Sequence, residues 1–337
     1  MIAVTIVIVL SSRKAPVLSR YRGRIHRGIY GLKSMAMELV TGENDSGRRL
    51  DRLLRKALPD APLPLIHRLL RRGQVLVNGK PAKAQDRLVS GVKISIPSLK
   101  ETYAPAPSAR ALPSPQIIWQ GEGLLAVNKP SGLAVHGRGS LDEMVGSFLA
   151  EKLPPSLSFK PGPLHRLDKP SSGIVVFSAS IEGARLFSAL MRERKVKKTY
   201  LAIVEGAVIK EEIWQDELVR DTELKKTFVS QTLGNEKTGA SKNAVTKITP
   251  LARNSKYSLV TAEIETGRTH QIRAQAAAHG HPLAGDKKYG GSGSGGFFLH
   301  AWKLEFLEYS IEAPLPKEFA EKIRELFGNI KNCVNIK

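Results

Sequence analysis

Residues 257–278 read YSLVTAEIETGRTHQIRAQAAA. Tyr257 to Ile264 is dense in β-branched and aromatic side chains and predicts a strand. Gly267 then permits a tight turn, and Thr269 to Ala278 is Ala- and Gln-rich and predicts a helix. A strand therefore passes through a turn carrying Arg268 into a helix that holds His270 and Arg273 near its start. Outward from this stretch, Leu124–Val127, Ile174–Phe177, Tyr200–Val204 and Phe297–Phe306 also read as strands. Ile181–Glu193 is an amphipathic helix, and another helix begins near Pro316. Because strands and helices do not alternate regularly, the pattern predicts an α+β domain with a largely antiparallel mixed sheet and flanking helices, not a doubly wound parallel one.

The front of the chain differs in character. Gly47–Lys56 (GRRLDRLLRK) and Leu65–Arg72 (LIHRLLRR) each place leucines at helical spacing with arginines on the other faces. Val75 and Val77 alternate into a strand, Asn78-Gly79 signals a hairpin turn, and Val92, Ile94 and Ile96 alternate again. Residues 47–96 thus form a small α/β module. Residues 97–116 carry five prolines among Ala and Ser and read as a semi-rigid tether, leaving 117–330 as the second domain. Residues 1–46 read as an extension, disordered or preceding the real start at Met35 or Met37.

Charge separates the same regions. The 337-residue chain has a formal net charge of +21. Residues 1–35 hold seven basic side chains and no acid, and 47–100 hold thirteen against three aspartates. A basic head on a milder body predicts a grip on a polyanion, with nucleic acid the default partner and a merely solubilising surface the alternative. Arg48, Arg52, Arg68, Arg71 and Arg72 are the candidate phosphate contacts. A single cysteine, Cys333, excludes a disulfide scaffold and a thiolate metal cluster. His270, His279 and His281 lack an HExxH spacing, so no metal is expected. The apolar run Met1–Leu10 is ten residues, short of the roughly 20 needed to span a bilayer, and its basic residues follow it. A cytoplasmic protein, monomeric by default, is expected.

Three stretches could carry chemistry. PLHRLDKPSSG (163–173) presents Asp168 beside a turn, where a carboxylate serves as nucleophile, base or cap. The stretch 265–290 supplies Arg268 and Arg273, suited to phosphates or carboxylates. KVKKTYLAIVEG (195–206) opens a strand on Tyr200, either a core aromatic or a surface for an unpaired base. GGSGSGG (290–296) precedes a strand, not a helix, and reads as a flexible surface loop.

In order, LLAVNKPSGLAVH, HRLDKPSSG, KKTYLAIVEG, TGRTHQIR, HPLAGDKKYG and FFLHAWKLEF resemble the RluA-type RNA pseudouridine synthases, and 47–96 resembles an S4 RNA-binding domain. Ser171 stands where that family usually has Thr; His165 separates the chain from the small-subunit branch, which has Gly there. The resemblance implies a pseudouridine synthase fold, base flipping, and no cofactor or metal. It makes Asp168 the catalytic carboxylate, Tyr200 the stacking partner of uracil and Arg273 the partner of Asp168. Arg166 would help displace the flipped nucleotide, Ile272 would line the pocket, and His165 and Arg268 would join the RNA-binding set. Large-subunit ribosomal RNA is the implied substrate. The alternatives are a transfer RNA target, a non-catalytic ribosome-assembly factor, and an N-glycosidase that leaves abasic sites.

Overall fold

The computed structural model describes residues 36–59, 61–97, 112–153, 156–230, 240–293 and 296–328. Met35, most of the tether and Cys333 lie outside them, whereas Met37, the other proposed start, lies within. The chain divides into two units. One comprises Met1–Arg110 with Ala150–Lys160; the other comprises Ala111–Leu149 and Pro161 onward.

The first unit begins earlier than the hydrophobic pattern suggested. Its four-stranded sheet includes β1 (Ala36–Val40), inside the stretch read as an extension, along with β2 (Leu76–Val77), β3 (Lys80–Pro81) and β4 (Lys93–Pro97). β1 pairs antiparallel along the whole of β4. Asn78 and Gly79 both take positive φ at the β2–β3 turn, as an Asn-Gly hairpin requires. Helices α1 (Leu50–Ala57) and α2 (Leu63–Arg71) bury Leu50, Leu53, Leu54, Ile66, Leu69 and Leu70 against Val75, Ile94 and Ile96. Asp45, fully buried, accepts from the Ser156 and Ser158 hydroxyls and the Leu157 and Ser158 backbone N–H groups. Those four bonds tie 156–158 into this unit, and no local sequence pattern announces them.

The second unit is built on one large sheet. Its strands are β5 (Ile117–Gly121), β6 (Leu124–Lys129), β7 (Gly162–Pro163), β8 (Ser172–Ser178), β9 (Lys197–Glu205), β10 (Glu212–Asp221), β11 (Lys226–Val229), β12 (Lys242–Arg253), β13 (Tyr257–Ile264), β14 (Leu299–Phe306) and β15 (Tyr309–Glu312). The order is β11-β10-β12-β13-β9-β14-β8-β6-β5, with β15 beside β14 and β7 beside β8. Among the described residues only β14 and β8 run parallel. That is the mixed, mostly antiparallel sheet expected. The strands β10, β11 and β12, with β10 in the middle, were not foreseen, because EIWQDELVRD buries only Trp214, Leu218 and Val219 and leaves Ile213 in solvent.

Pairing decides which face carries what, since side chains of directly paired residues share a face. Tyr200 pairs with Ala262 and Ala301, one residue out of phase with Leu201 and Ile203. Leu201 and Ile203 pack with Phe319 and Ile323 of α6 (Lys317–Phe327). Tyr200 therefore faces away from α6. Thr246, in register with Ile264 and through it with Lys198, bonds Gln275 of α5 (Gln271–Ala278). So α5 lies on the Tyr200 face. Phe187 and Leu190 of α4 (Ile181–Arg192) pack with Leu304 and Phe306, and Leu304 pairs with Lys198, so α4 shares that face. Helix α3 (Leu141–Ala150) completes the unit. None of the described helices is long and apolar enough to cross a membrane.

Candidate active site

The site begins with two loops pinned together. Asp168 lies between β7 and β8, in a turn closed by the Ser171 N–H donating to the Asp168 carbonyl (3.1 Å). Beside it runs the loop after β6. Lys129, fully buried, donates from Nζ to the carbonyls of Pro130 (2.9 Å), Leu133 (2.7 Å) and Lys169 (3.1 Å). All three ammonium donors are thereby used, and one bond crosses to the Asp168 loop. Burial lowers the Lys129 pKa to about 8, with Asp168 opposing the fall. Where β8 leaves this turn, Gly173 has φ +107°, and a Cβ there would strike the Ala301 backbone of β14. Only glycine lets the two strands approach so closely.

Helix α5 brings the counter-charge. Arg273 Nη1 donates to Asp168 Oδ2 at 2.8 Å. Its Nε and Nη2 form a fork onto Asp286, at 2.6 and 2.9 Å. The guanidinium is packed against Tyr289 and Phe297, 4.9 and 4.4 Å from their ring centres. Arg273 is 5% exposed and Asp286 2%. Burial works against the charge of Arg273, but its bonds to Asp286 and Asp168 outweigh that and raise its pKa. A planar fork with one edge fixed on Asp286 leaves a single direction for the remaining donor, and that direction is Asp168. Both partners of Asp168 bind Oδ2 or approach it, so Oδ1 takes no hydrogen bond among the described residues.

Tyr200 is buried to 8% exposure, and burial, reinforced by Asp168, raises its phenol pKa. The hydroxyl stays protonated and the ring lies within electrostatic reach of the carboxylate. Ile272 is buried one residue before Arg273. Arg166 is exposed. His165 accepts the Val176 backbone N–H at Nε2 (3.1 Å) and stacks on Phe187, and burial lowers its pKa to about 4. Its ring is engaged with the wall of the fold. Arg268 is exposed and precedes the helix, its Nε donating to the Asn243 carbonyl (3.2 Å).

The helix starts two residues later than its composition suggested. His270 takes a left-handed conformation, φ 57° and ψ 23°, as N-cap. Three residues without an assigned role from sequence thus belong to the site: Lys129, Asp286 and His270. The signal for Asp286 was available in principle, because a guanidinium with five donors cannot be buried on one carboxylate. The first part of the glycine loop is tied down: the Gly291 N–H donates to the Asp286 carbonyl and the Ser292 hydroxyl to Glu205.

In the N-terminal unit, Arg52, Arg68, Arg71 and Arg72 are exposed and make no ion pair among the described residues. Arg48 is half-buried and donates to the Ser158 carbonyl (3.3 Å), giving it a structural duty. A concavity of about 270 Å³ between Gln215, Asp216, Glu217, Ser230 and Asn243 carries two carboxylates, the wrong sign for a phosphate backbone. No cluster of three metal-binding side chains occurs among the described residues.

The chain is similar to known proteins in sequence and in fold. A model described as RNA pseudouridylate synthase matches residues 123–278, and the S4 domain matches 48–94. A ribosomal large subunit pseudouridine synthase C of Vibrio vulnificus is 33% identical over 290 residues, covering 81% of this chain and 89% of its own. The Escherichia coli K12 protein of the same name is 30% identical, covering 87% and 97%. A ribosomal large subunit pseudouridine synthase D of Neisseria meningitidis is 31% identical, covering 81% and 77%. Among solved structures, human RNA pseudouridylate synthase domain containing 4 superposes with TM-score 0.55 at 23% identity, covering 63% of this chain and 92% of that one, which supports the fold.

Proposed function

The chain belongs to the RNA pseudouridylate synthase family, and on that premise we propose that it isomerises uridines of large-subunit ribosomal RNA in the cytoplasm, with Asp168 as the acting carboxylate. The isomerisation breaks the N1–C1′ bond, turns the uracil and rejoins it to C1′ through C5. The C5 proton is lost and N1 gains one, so no electrons are exchanged with an outside group. The reaction requires an ionised carboxylate at the sugar, whether that group attacks C1′ or removes a sugar proton. The observation that carries the reading is the chain Asp286–Arg273–Asp168: a buried guanidinium with one edge fixed on Asp286 orients the half-buried carboxylate it faces, while Oδ1 remains available.

The uridine must leave its stack, at a cost of a few kcal/mol. We assign the Tyr200 ring as the surface that offsets this, and Ile272 as apolar wall that keeps the detached uracil from water. Arg166, exposed beside Asp168 in sequence, takes the place of the flipped nucleotide. His165 and Arg268 shape the rim. Arg52, Arg68, Arg71 and Arg72 hold phosphates of folded RNA. A binding-only factor would have no use for a carboxylate fixed by a buried arginine, which favours the enzyme.

Because C5–H is exchanged for C5–C1′, RNA carrying tritium at uridine C5 releases it to water on turnover. The purified protein is expected to release label, and Asp168→Asn to release none while its RNA affinity stays within a few-fold. Label release by the variant near the wild-type rate would overturn the assignment.

A further inference from the structure

Asp168 has a second neighbour besides Arg273. His270 Nε2 stands 3.6 Å from Asp168 Oδ2, an electrostatic contact outside hydrogen-bond range. The other ring nitrogen, Nδ1, lies 2.8 Å from the Tyr289 hydroxyl. That hydroxyl already accepts the Thr227 backbone N–H at 2.9 Å, and the burial that raises its pKa keeps it protonated. Its own proton is therefore free to be donated, and Nδ1 is the acceptor. Arg220, whose Nη1 lies 3.5 Å from Nδ1, can only donate as well. With two donors on Nδ1, the neutral imidazole carries its hydrogen on Nε2, aimed at Asp168.

Neutrality follows from the surroundings. The charged groups around the ring are Asp168 from the loop before β8, Arg273 on its own helix, Arg220 on β10 and Lys288 beside Tyr289. Burial, with the three cations, outweighs Asp168 and lowers the His270 pKa to about 4. The ring is held there by a left-handed backbone, φ 57°, which is uncommon for a non-glycine residue, though less so for His, Asn and Asp. Strain of this kind persists only where the surroundings enforce it.

We propose that His270 is a positioning residue of the isomerisation: Tyr289 fixes its tautomer, and its Nε2–H closes onto Asp168 Oδ2 when RNA fills the site. Arg273 and His270 then hold Oδ2 from two sides, so Oδ1 is the oxygen presented to the ribose. This rests on the catalytic reading of Asp168. Contacts that shorten only in the substrate complex are common in unliganded sites.

The test compares three variants by steady-state kinetics on the same RNA, with Asp168→Asn alongside. His270→Asn accepts the left-handed backbone but its amide stops at the Nδ1 position. His270→Gln reaches the Nε2 position with an N–H. Tyr289→Phe leaves His270 in place and removes its proton donor. Expected are a fall of about 30-fold in kcat for His270→Asn at nearly unchanged KM, recovery to within about fivefold for His270→Gln, and about a tenfold loss for Tyr289→Phe. A kcat within twofold of wild type for His270→Asn, or equal losses for the Asn and Gln variants, would overturn the proposal. Should either His270 variant fail to fold, an unchanged kcat in Tyr289→Phe would overturn it alone. An active Asp168→Asn would instead strike the catalytic reading beneath it.

Discussion

The two units use the same side chain in opposite ways. Arg52, Arg68, Arg71 and Arg72 of the N-terminal unit are exposed and lack carboxylate partners among the described residues. Arg273 of the catalytic unit is 5% exposed and bonded through three nitrogens to two aspartates. A free, solvated arginine contributes by releasing counterions from phosphate, whatever the sequence. A buried one contributes nothing of that kind; it costs desolvation, and its return is one carboxylate held in one place. Number matters in the first unit and geometry in the second.

Breaking the geometry should have the largest effect. Asp286→Ala leaves Arg273 buried with half its partners, which costs about 3–5 kcal/mol of stability and lets the guanidinium swing. A fall of roughly 100-fold or more in single-turnover rate is expected, with RNA affinity little changed. A variant that keeps its rate while losing stability would show that the fork on Asp286 serves folding alone.

Acid should separate the units next. His165, His270 and His300 of the catalytic unit have pKa values lowered to about 4 by burial. His300 is fully buried between the Ser172 hydroxyl and the Ala313 carbonyl. Since an unfolded histidine titrates near 6.5, the unfolded state binds more protons between 6.5 and 4. Stability is then complete above 6.5 and declines as pH falls to 4, by up to about 3 kcal/mol for His300. Denaturant melts at pH 7 and pH 4.5 should show a lower midpoint for the catalytic unit at the lower pH. Equal midpoints would contradict the neutral assignment.

Number is tested more gently. Replacing Arg52, Arg68, Arg71 and Arg72 together by Gln should reduce the slope of log affinity against log salt by about 3, while saturating single-turnover rates hold. Arg52→Gln alone should reduce it by less than 1. An unchanged slope in the fourfold variant would remove the N-terminal unit from the grip on RNA.

How much of this was legible follows the same division. Tyr257–Ile264 was bounded correctly because apolar and β-branched side chains dominate it, with Leu259, Val260, Ala262 and Ile264 buried. The helix behind it was extended too far, since nothing in TGRTHQ tells that His270 departs from helical backbone. β10 and β12 escaped because their solvent faces carry charge and an isolated Ile213 breaks the alternation. Leucine spacing located α1 and α2, but β1 and the segment 156–158 joined that unit through pairing and through Asp45, contacts between residues remote in sequence. In the site, Asp168 and Arg273 stand 105 residues apart, and only the resemblance to a family joined them in advance. Asp286 was passed over because a lone carboxylate after a glycine looks like any turn residue until the arginine it serves is seen.

The most direct test of the central claim, that one carboxylate oriented by a buried arginine remakes the glycosidic bond, is carbodiimide mapping of ribosomal RNA from cells lacking the gene and complemented with either wild type or Asp168→Asn. The account predicts large-subunit stops that vanish on deletion, return with wild type and stay absent with the variant. Stops restored by Asp168→Asn would contradict it.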